Sequence, residues 1–325
     1  MRQKNNLVQK GFTLIEVILF LAISGAIFAM VMTGISTSTA RRRYTDSVND
    51  IVEQIKNAYS ATINVENIRV KTEDSSFFCS LSSAYNGSGG LVPDSKATST
   101  NDNYPGRSKC AVYGQVITFG EQGNTRMNRY DIIGRAEIDA RNNIDPNDSD
   151  ELIKSLKAVG ANIVTLRQNN NAMTSCTVAL AGTTSSYLPQ WDAKIENTSA
   201  DRSLYKGVIM IARSPVSGTV HTFFYTDQGD VARANNSTFE VQNWLNANSS
   251  SRVCGGFYNA NGYFVTEAIN SGRFKNNKDL DICVGSEDLF GVANRRRGIR
   301  IHSDGSTESA VELLSESESA NVCKS

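Results

Sequence analysis

The sequence predicts an α+β protein in which a long N-terminal helix, membrane-crossing in its first part, carries a globular head built on a mostly antiparallel β-sheet. Three observations predict it. Residues 14–33 read LIEVILFLAISGAIFAMVMT with Glu16 as the only charge. Apolar residues then recur three and four positions apart from Val48 to Ile63. Beyond them, short runs of β-branched and aromatic residues alternate with turn formers.

The apolar run comes first because its length is set by a physical dimension. At about 1.5 Å per residue it makes a helix of roughly 30 Å, the thickness of a bilayer's hydrocarbon core. The rest of the chain is ordinary soluble protein, 40% hydrophobic with a negative mean hydropathy, so the run is a local feature. A cleaved signal peptide ending near Ser38-Thr39-Ala40 is the alternative. Its core would be unusually long, and an amphipathic helix rather than a fresh mature terminus follows. Glu16 costs roughly 2.5–3.5 kcal/mol in hydrocarbon, so the sequence predicts a partner for it.

After Arg41, Arg42 and Arg43, the positions Val48, Ile51, Val52, Ile55, Ala58, Tyr59, Thr62 and Ile63 share one helical face, with Asp50, Glu53, Gln54 and Lys56 between them. The helix is expected to run from Phe12 to about Ile68 and to lay this face on the head. No proline precedes Pro93, so no kink is expected.

The residues just before and inside the apolar run, Lys10-Gly11-Phe12-Thr13-Leu14-Ile15-Glu16, resemble the recognition sequence of type IV prepilins and type II secretion pseudopilins. The resemblance implies cleavage between Gly11 and Phe12 by a membrane prepilin peptidase, N-methylation of the new Phe12 amine, and assembly through the helix on an inner-membrane platform. Residues 1–11 would be a cytoplasmic leader, 12–33 a transmembrane and filament-core helix, 34–68 an amphipathic stem and 69–325 the head. Glu16 would meet the Phe12 amine of a neighbouring subunit, a cation able to offset its burial. The small residues Ser24, Gly25, Ala26 and Gly34 would allow close lateral packing. The expected partners are other pilin subunits, the peptidase, the platform and membrane lipid; the expected location is a single-pass cytoplasmic-membrane protein with its head outside, then a periplasmic or extracellular filament. Arg41 to Arg43 match the leader's Arg2, Lys4 and Lys10, so flanking charge does not set the orientation.

In the head, residues 75–109 read as a Ser/Gly/Asn-rich surface loop. Strands are expected at 112–119, 130–138, 163–166, 204–212, 219–225, 262–266, 282–284 and 299–302. Ser214-Pro215-Val216-Ser217-Gly218 reads as a hairpin connection, and Asp304-Gly305 ahead of 306–313 as another. Short helices are expected at 150–159, capped by Asp148 or Ser149, and at 238–246. Cys110-Ala111-Val112-Tyr113-Gly114-Gln115-Val116-Ile117, with Asp281-Ile282-Cys283-Val284 and Arg297-Gly298-Ile299-Arg300-Ile301, is similar in order to H-type minor pseudopilins, which implies two sheets placed against the stem helix.

Six cysteines, Cys79, Cys110, Cys176, Cys254, Cys283 and Cys323, include no CxxC pair and all lie beyond the apolar run. Disulfides on an exported head fit this usage, with buried free thiols the alternative. A Cys79 to Cys110 bridge would close the 75–109 loop, but spacing alone leaves all connectivities open.

Basic and acidic side chains balance at 33 each, which excludes a globally nucleic-acid-binding composition. Arg295, Arg296, Arg297 and Arg300 are the one dense basic cluster of the head. Some H-like minor pilins bind DNA through basic residues of the last hairpin; here that hairpin holds Ser303-Asp304-Gly305-Ser306-Thr307-Glu308, so a strand entry paired to nearby acids is the competing reading. Asp145, Asn147, Ser149 and Glu151 alternate like a calcium loop, but Asp150 stands where the turn glycine belongs, and a helix-capping loop explains them better. No metal or other cofactor is expected. With two histidines, His221 and His302, and no nucleophile elbow, phosphate loop or HExxH, no catalytic site is expected either. Trp191 and Trp244 could serve a binding surface or the core. The expected function is a structural subunit, a minor or tip pilin or pseudopilin; the alternative is a pilus-displayed protein that binds DNA for uptake or adheres.

Overall fold

In the computed structural model of the protein, residues 13–64, 110–120, 125–135, 143–159, 161–164, 177–178, 185–225, 265, 269, 274–276, 278–286 and 296–324 are described. A single helix, α1 (Leu14–Ile63), covers both the apolar run and the amphipathic stem. It starts at Leu14 because Thr13 caps it: the Thr13 hydroxyl accepts from the Glu16 amide while the Glu16 carboxylate accepts from the Thr13 N–H at 2.9 Å. It ends at Ile63, five residues short of the expected 68. Asn64 is the cap, its N–H completing the last helical bond to the Ser60 carbonyl at 2.9 Å and its side-chain amide donating to the Ser60 hydroxyl.

The two halves of α1 have opposite fates. From Leu14 to Ile35 its large apolar side chains are 44–78% exposed. From Tyr44 to Thr62 the face anticipated from spacing is buried, with Ile51, Ile55, Ala58 and Tyr59 fully so.

That buried face meets two sheets. The first is eight-stranded, in the order β4 (Thr177–Val178), β3 (Asn162–Val164), β2 (Met127–Arg135), β1 (Cys110–Phe119), β7 (Gly207–Arg213), β8 (Val220–Tyr225) and β9 (Phe274–Lys275), with β5 (Ser185–Tyr187) beside β2. All its pairings are antiparallel except β3 with β4. The second runs β12 (Val311–Leu313), β11 (Arg296–Ile301), β10 (Leu280–Ser286) and β6 (Ala193–Glu196), antiparallel throughout. The α+β class is as the sequence predicts.

Strand alternation assigns the faces. Ile117, Phe119, Ile209 and Ile211 of the first sheet, with Ile195, Ile282, Val284, Ile299 and Ile301 of the second, enclose the stem in one core. Val116, Tyr130, Ile132, Val208 and Met210 point the other way, under α2 (Glu151–Ala158) and its Leu152 and Leu156. Hydroxyls stitch the stem in place: Tyr44 donates to the Val284 carbonyl at 2.8 Å and Ser47 to that of Gln190 at 3.0 Å. Thr222 donates to the Gly305 carbonyl, so Tyr59, 2.8 Å away, is the donor to Thr222. Burial pushes the Tyr59 hydroxyl up to about 12, which keeps that proton in place.

Several expected elements differ in detail. The strand expected at 130–138 begins earlier, at Met127, with 136–138 outside the described residues, and 204–212 shifts to Gly207–Arg213; both put alternate apolar residues in a core. Of 262–266 only Val265 is described, and it is helical and fully buried rather than extended; a short apolar run of this length suits a buried helix segment as well as a strand. The 214–218 connection joins β7 to β8 as expected, with Gly218 at φ +74°, a conformation glycine takes without strain. Within 306–313 only Val311–Leu313 is strand, because Glu308–Ala310 forms a 3₁₀ turn capped by Thr307. The loop 75–109 and the helix 238–246 lie outside the described residues. So does Trp244.

The first sheet holds one buried acid. Asp131 faces the stem side, accepting from the Gln115 side-chain amide at 2.9 Å. Burial pushes its carboxyl up to about 6, against the opposing pull of Arg129 and of the Gln115 bond. Gln115 Oε1 is buried without a hydrogen-bond partner, so a protonated Asp131 suits this place. A raised carboxyl stabilises the fold below its unfolded value near 4 and loses that contribution as pH rises through about 6. Asp131→Asn should therefore raise stability above pH 6, by up to about 3 kcal/mol, and change little below pH 4. Urea denaturation at pH 4 and pH 7.5 checks it; an equal effect at both values would refute it.

Candidate functional site

The first candidate is the start of α1. Gly11 and Phe12 lie outside the described residues; Glu16 sits in the first turn of the helix. Its carboxylate closes a capping box, accepting from both the Thr13 N–H and, at 3.0 Å, the Thr13 hydroxyl. Thr13-Leu14-Ile15-Glu16 carries the S/T-x-x-E signature, so this bond was legible in the sequence. A carboxylate held this way is partly satisfied within its own chain, which lowers the cost of an apolar environment. One of its oxygens makes both bonds, leaving the other open to a cation. Around Gly25 and Gly34 there is open space, so another helix can approach closely at both.

The second candidate is the arginine cluster. Arg295 lies outside the described residues. Arg296 is buried and ion-paired with Glu196, Nε to Oε2 at 3.0 Å; the contact is close but poorly aligned, since neither atom has a hydrogen-bond partner. Burial pushes the Glu196 carboxyl up while Arg296 pulls it down. The remaining Arg296 nitrogens donate to the carbonyls of Asn197, Ser199 and Lys324. Gly285, opposite, leaves room for this pair: a Cβ there would collide with the Glu196 carboxylate. Arg297 donates to the Leu314 carbonyl at 2.9 Å, and Arg300 makes a bidentate pair with Asp281, its cross-strand neighbour. The three described arginines thus spend their guanidiniums on the chain itself. They do not form an open phosphate-binding face.

Arg296 and Arg297 build a clasp on the C-terminal segment. Helix α3 (Glu316–Val322), which the sequence reading missed, is opened by a second capping box between Ser315 and Glu318. It covers the sheet face opposite the stem, where the Gly298 N–H donates to the Ser319 hydroxyl at 3.0 Å. Cys283 of β10 is disulfide-bonded to Cys323, just past α3. Cys79, Cys176 and Cys254 lie outside the described residues, and of Cys110 only the backbone, at the start of β1, is described.

The calcium-like run disperses. Asp145 accepts from the Asn147 N–H, Asp148 from the Asp150 N–H and Lys154, and Glu151 turns inward to accept from the Ser214 and Ser217 hydroxyls of the β7–β8 connection. The helix cap is Asp150, without a side-chain bond, rather than Asp148 or Ser149. His302 sits between Asp279 at 3.0 Å and Glu312 at 3.5 Å, and His221 contacts Thr219 and stacks on Phe223.

Trp191 belongs to neither group. It is half exposed, with the Arg43 guanidinium 4.4 Å from its ring centre.

Comparison of the chain with protein-family models, curated proteins and solved structures finds no match. A long N-terminal apolar helix followed by a β-sheet head is consistent with a pilin-like layout. Among the described residues one helix is long and apolar enough to cross a membrane, consistent with single-pass anchoring.

Proposed function

We propose that the chain is a structural subunit, a minor or tip pilin or pseudopilin, cleaved between Gly11 and Phe12 and assembled through α1 into a type IV pilus or a type II secretion pseudopilus. The observation that carries this reading is the division of α1: one continuous helix is apolar and bare over 14–35 and buried in its own head over 44–62. A helix so divided needs an apolar environment for its bare half, first lipid and then neighbouring copies of the same helix. The open oxygen of Glu16 supports a register role, since an incoming Phe12 amine can bind it without dismantling the cap.

The test is processing and incorporation. In a host with prepilin peptidase the mature chain should begin at Phe12, and in a host lacking it the leader should remain. Glu16→Gln should leave the chain in the membrane while reducing its filament incorporation by about tenfold or more, the scale of a buried ion pair with one partner removed. Wild-type incorporation of that variant would reject the register role, and a Phe12 terminus without the peptidase would reject the processing.

A further inference from the structure

The segment between β5 and β6 descends along the stem toward the apolar half of α1. Three contacts fix its direction: Tyr187 lies within electrostatic reach of Asp50, the Gln190 carbonyl accepts from Ser47, and Trp191 lies on Arg43. Each step along the loop meets an earlier residue of the helix. The chain then turns back through Trp191 and Asp192, both left-handed at φ 56° and 55°, and returns as β6. Non-glycine residues rarely hold that conformation, and the tight turn places an indole at the bottom of the loop. Leu188 and Trp191 are 53% and 50% exposed, while Pro189 between them is buried.

We propose that this loop tip, with Arg41, Arg42 and Arg43, is a docking surface for an anionic lipid headgroup layer, which seats the head on the membrane before assembly. The inference rests on the reading of α1 as a membrane anchor. Arg43 stands eight residues beyond Ile35, about 12 Å along the helix, and the headgroup layer occupies about 5–7 Å of that distance on each side of a bilayer. The average tilt of membrane helices, about 20°, lowers one side of the collar toward the lipid. Arginines with apolar stems and a tryptophan are the side chains that settle at this depth. Arg41, Arg42 and Arg43 are all exposed, and they outnumber the neighbouring acids Asp46 and Asp192. Continuity with the span and the sign of the charge favour anionic lipid as the occupant.

The test uses the full chain in nanodiscs, one copy per disc, made of phosphatidylcholine alone or with phosphatidylglycerol, some lipids brominated near the glycerol end of the acyl chain. Tryptophan emission should be quenched in the anionic discs. The quenching should fall at least about twofold in Trp191→Phe, and likewise when Arg41, Arg42 and Arg43 become glutamine. Trp191 signal that brominated lipid leaves unchanged would overturn the proposal. So would quenching that is absent at one copy per disc and arises only when two copies share a disc, which would assign the tip to a second subunit. Resistance to alkaline extraction is read in parallel. If the chain resists extraction but Trp191 stays unquenched, docking alone fails; if it is extracted, the anchor reading fails.

Discussion

Replacing Cys283 and Cys323 with serine should lower the stability of the head by about 4 kcal/mol, the loop-closure value for a bridge spanning 40 residues. The bridge joins a central strand of the second sheet to the end of the chain. Without it, α3 is a helix of seven residues, far below the length at which a helix is stable alone. It would then be held by the Ser319 contact and the Arg296 carbonyl bonds. Local release of α3 should therefore precede global unfolding in the variant. Amide exchange at 316–324 should speed up by more than exchange in β1 and β7. The denaturation midpoint and the exchange pattern, measured on the detergent-solubilised chain, check both parts. An unchanged midpoint, or uniform loss of protection across the head, would contradict them.

Arg296→Ala should be of similar size, about 3–5 kcal/mol, because it leaves Glu196 buried without its cation and three backbone carbonyls without their donor. The pH dependence identifies the cause. Burial already pushes the Glu196 carboxyl up, and without Arg296 it rises further. A raised carboxyl stabilises the fold at low pH and loses that contribution as pH increases. The variant should therefore lie closer to wild type at pH 4 than at pH 7.5. Glu196→Gln combined with Arg296→Met, which removes both charges and keeps volume, should recover much of the loss. Since Arg296 and the disulfide hold the same segment, the arginine and cysteine changes should combine to less than their sum. Strict additivity would show that they act independently.

The clasp also accounts for what the arginine run hid. In the sequence, Arg295, Arg296, Arg297 and Arg300 form a dense positive patch, and charge density is a one-dimensional property. Their partners are not: Glu196, Asn197, Ser199 and Lys324 reach Arg296 only because β6 pairs with β10 and the chain's end folds back over β11. Asp281 reaches Arg300 through strand register. The same limit applies to the cysteines, whose spacing left every pairing open until β10 and α3 came together. The short strands Ala193–Glu196 and Phe274–Lys275 were not legible either, because they are extended by the neighbours they pair with and carry little pattern of their own.

The sequence by itself determined the helix and the class of the head. A bilayer-length apolar run, a face repeating every three to four residues and the Thr13 to Glu16 capping pair are local, set by rise per residue and by which side chains can reach the backbone three positions away. Alternating β-branched runs with turn formers likewise announce strands. Only the tertiary structure decided which strands make up the two sheets that enclose the stem, that Cys283 pairs with Cys323, that Arg296, Arg297 and Arg300 bind groups of the chain itself, and that Trp191 comes to rest on Arg43. Each of these depends on segments far apart in the chain meeting at contact distance. That meeting is fixed by how the apolar faces of α1, β1, β7, β10 and β11 pack against one another, which no short window of sequence contains.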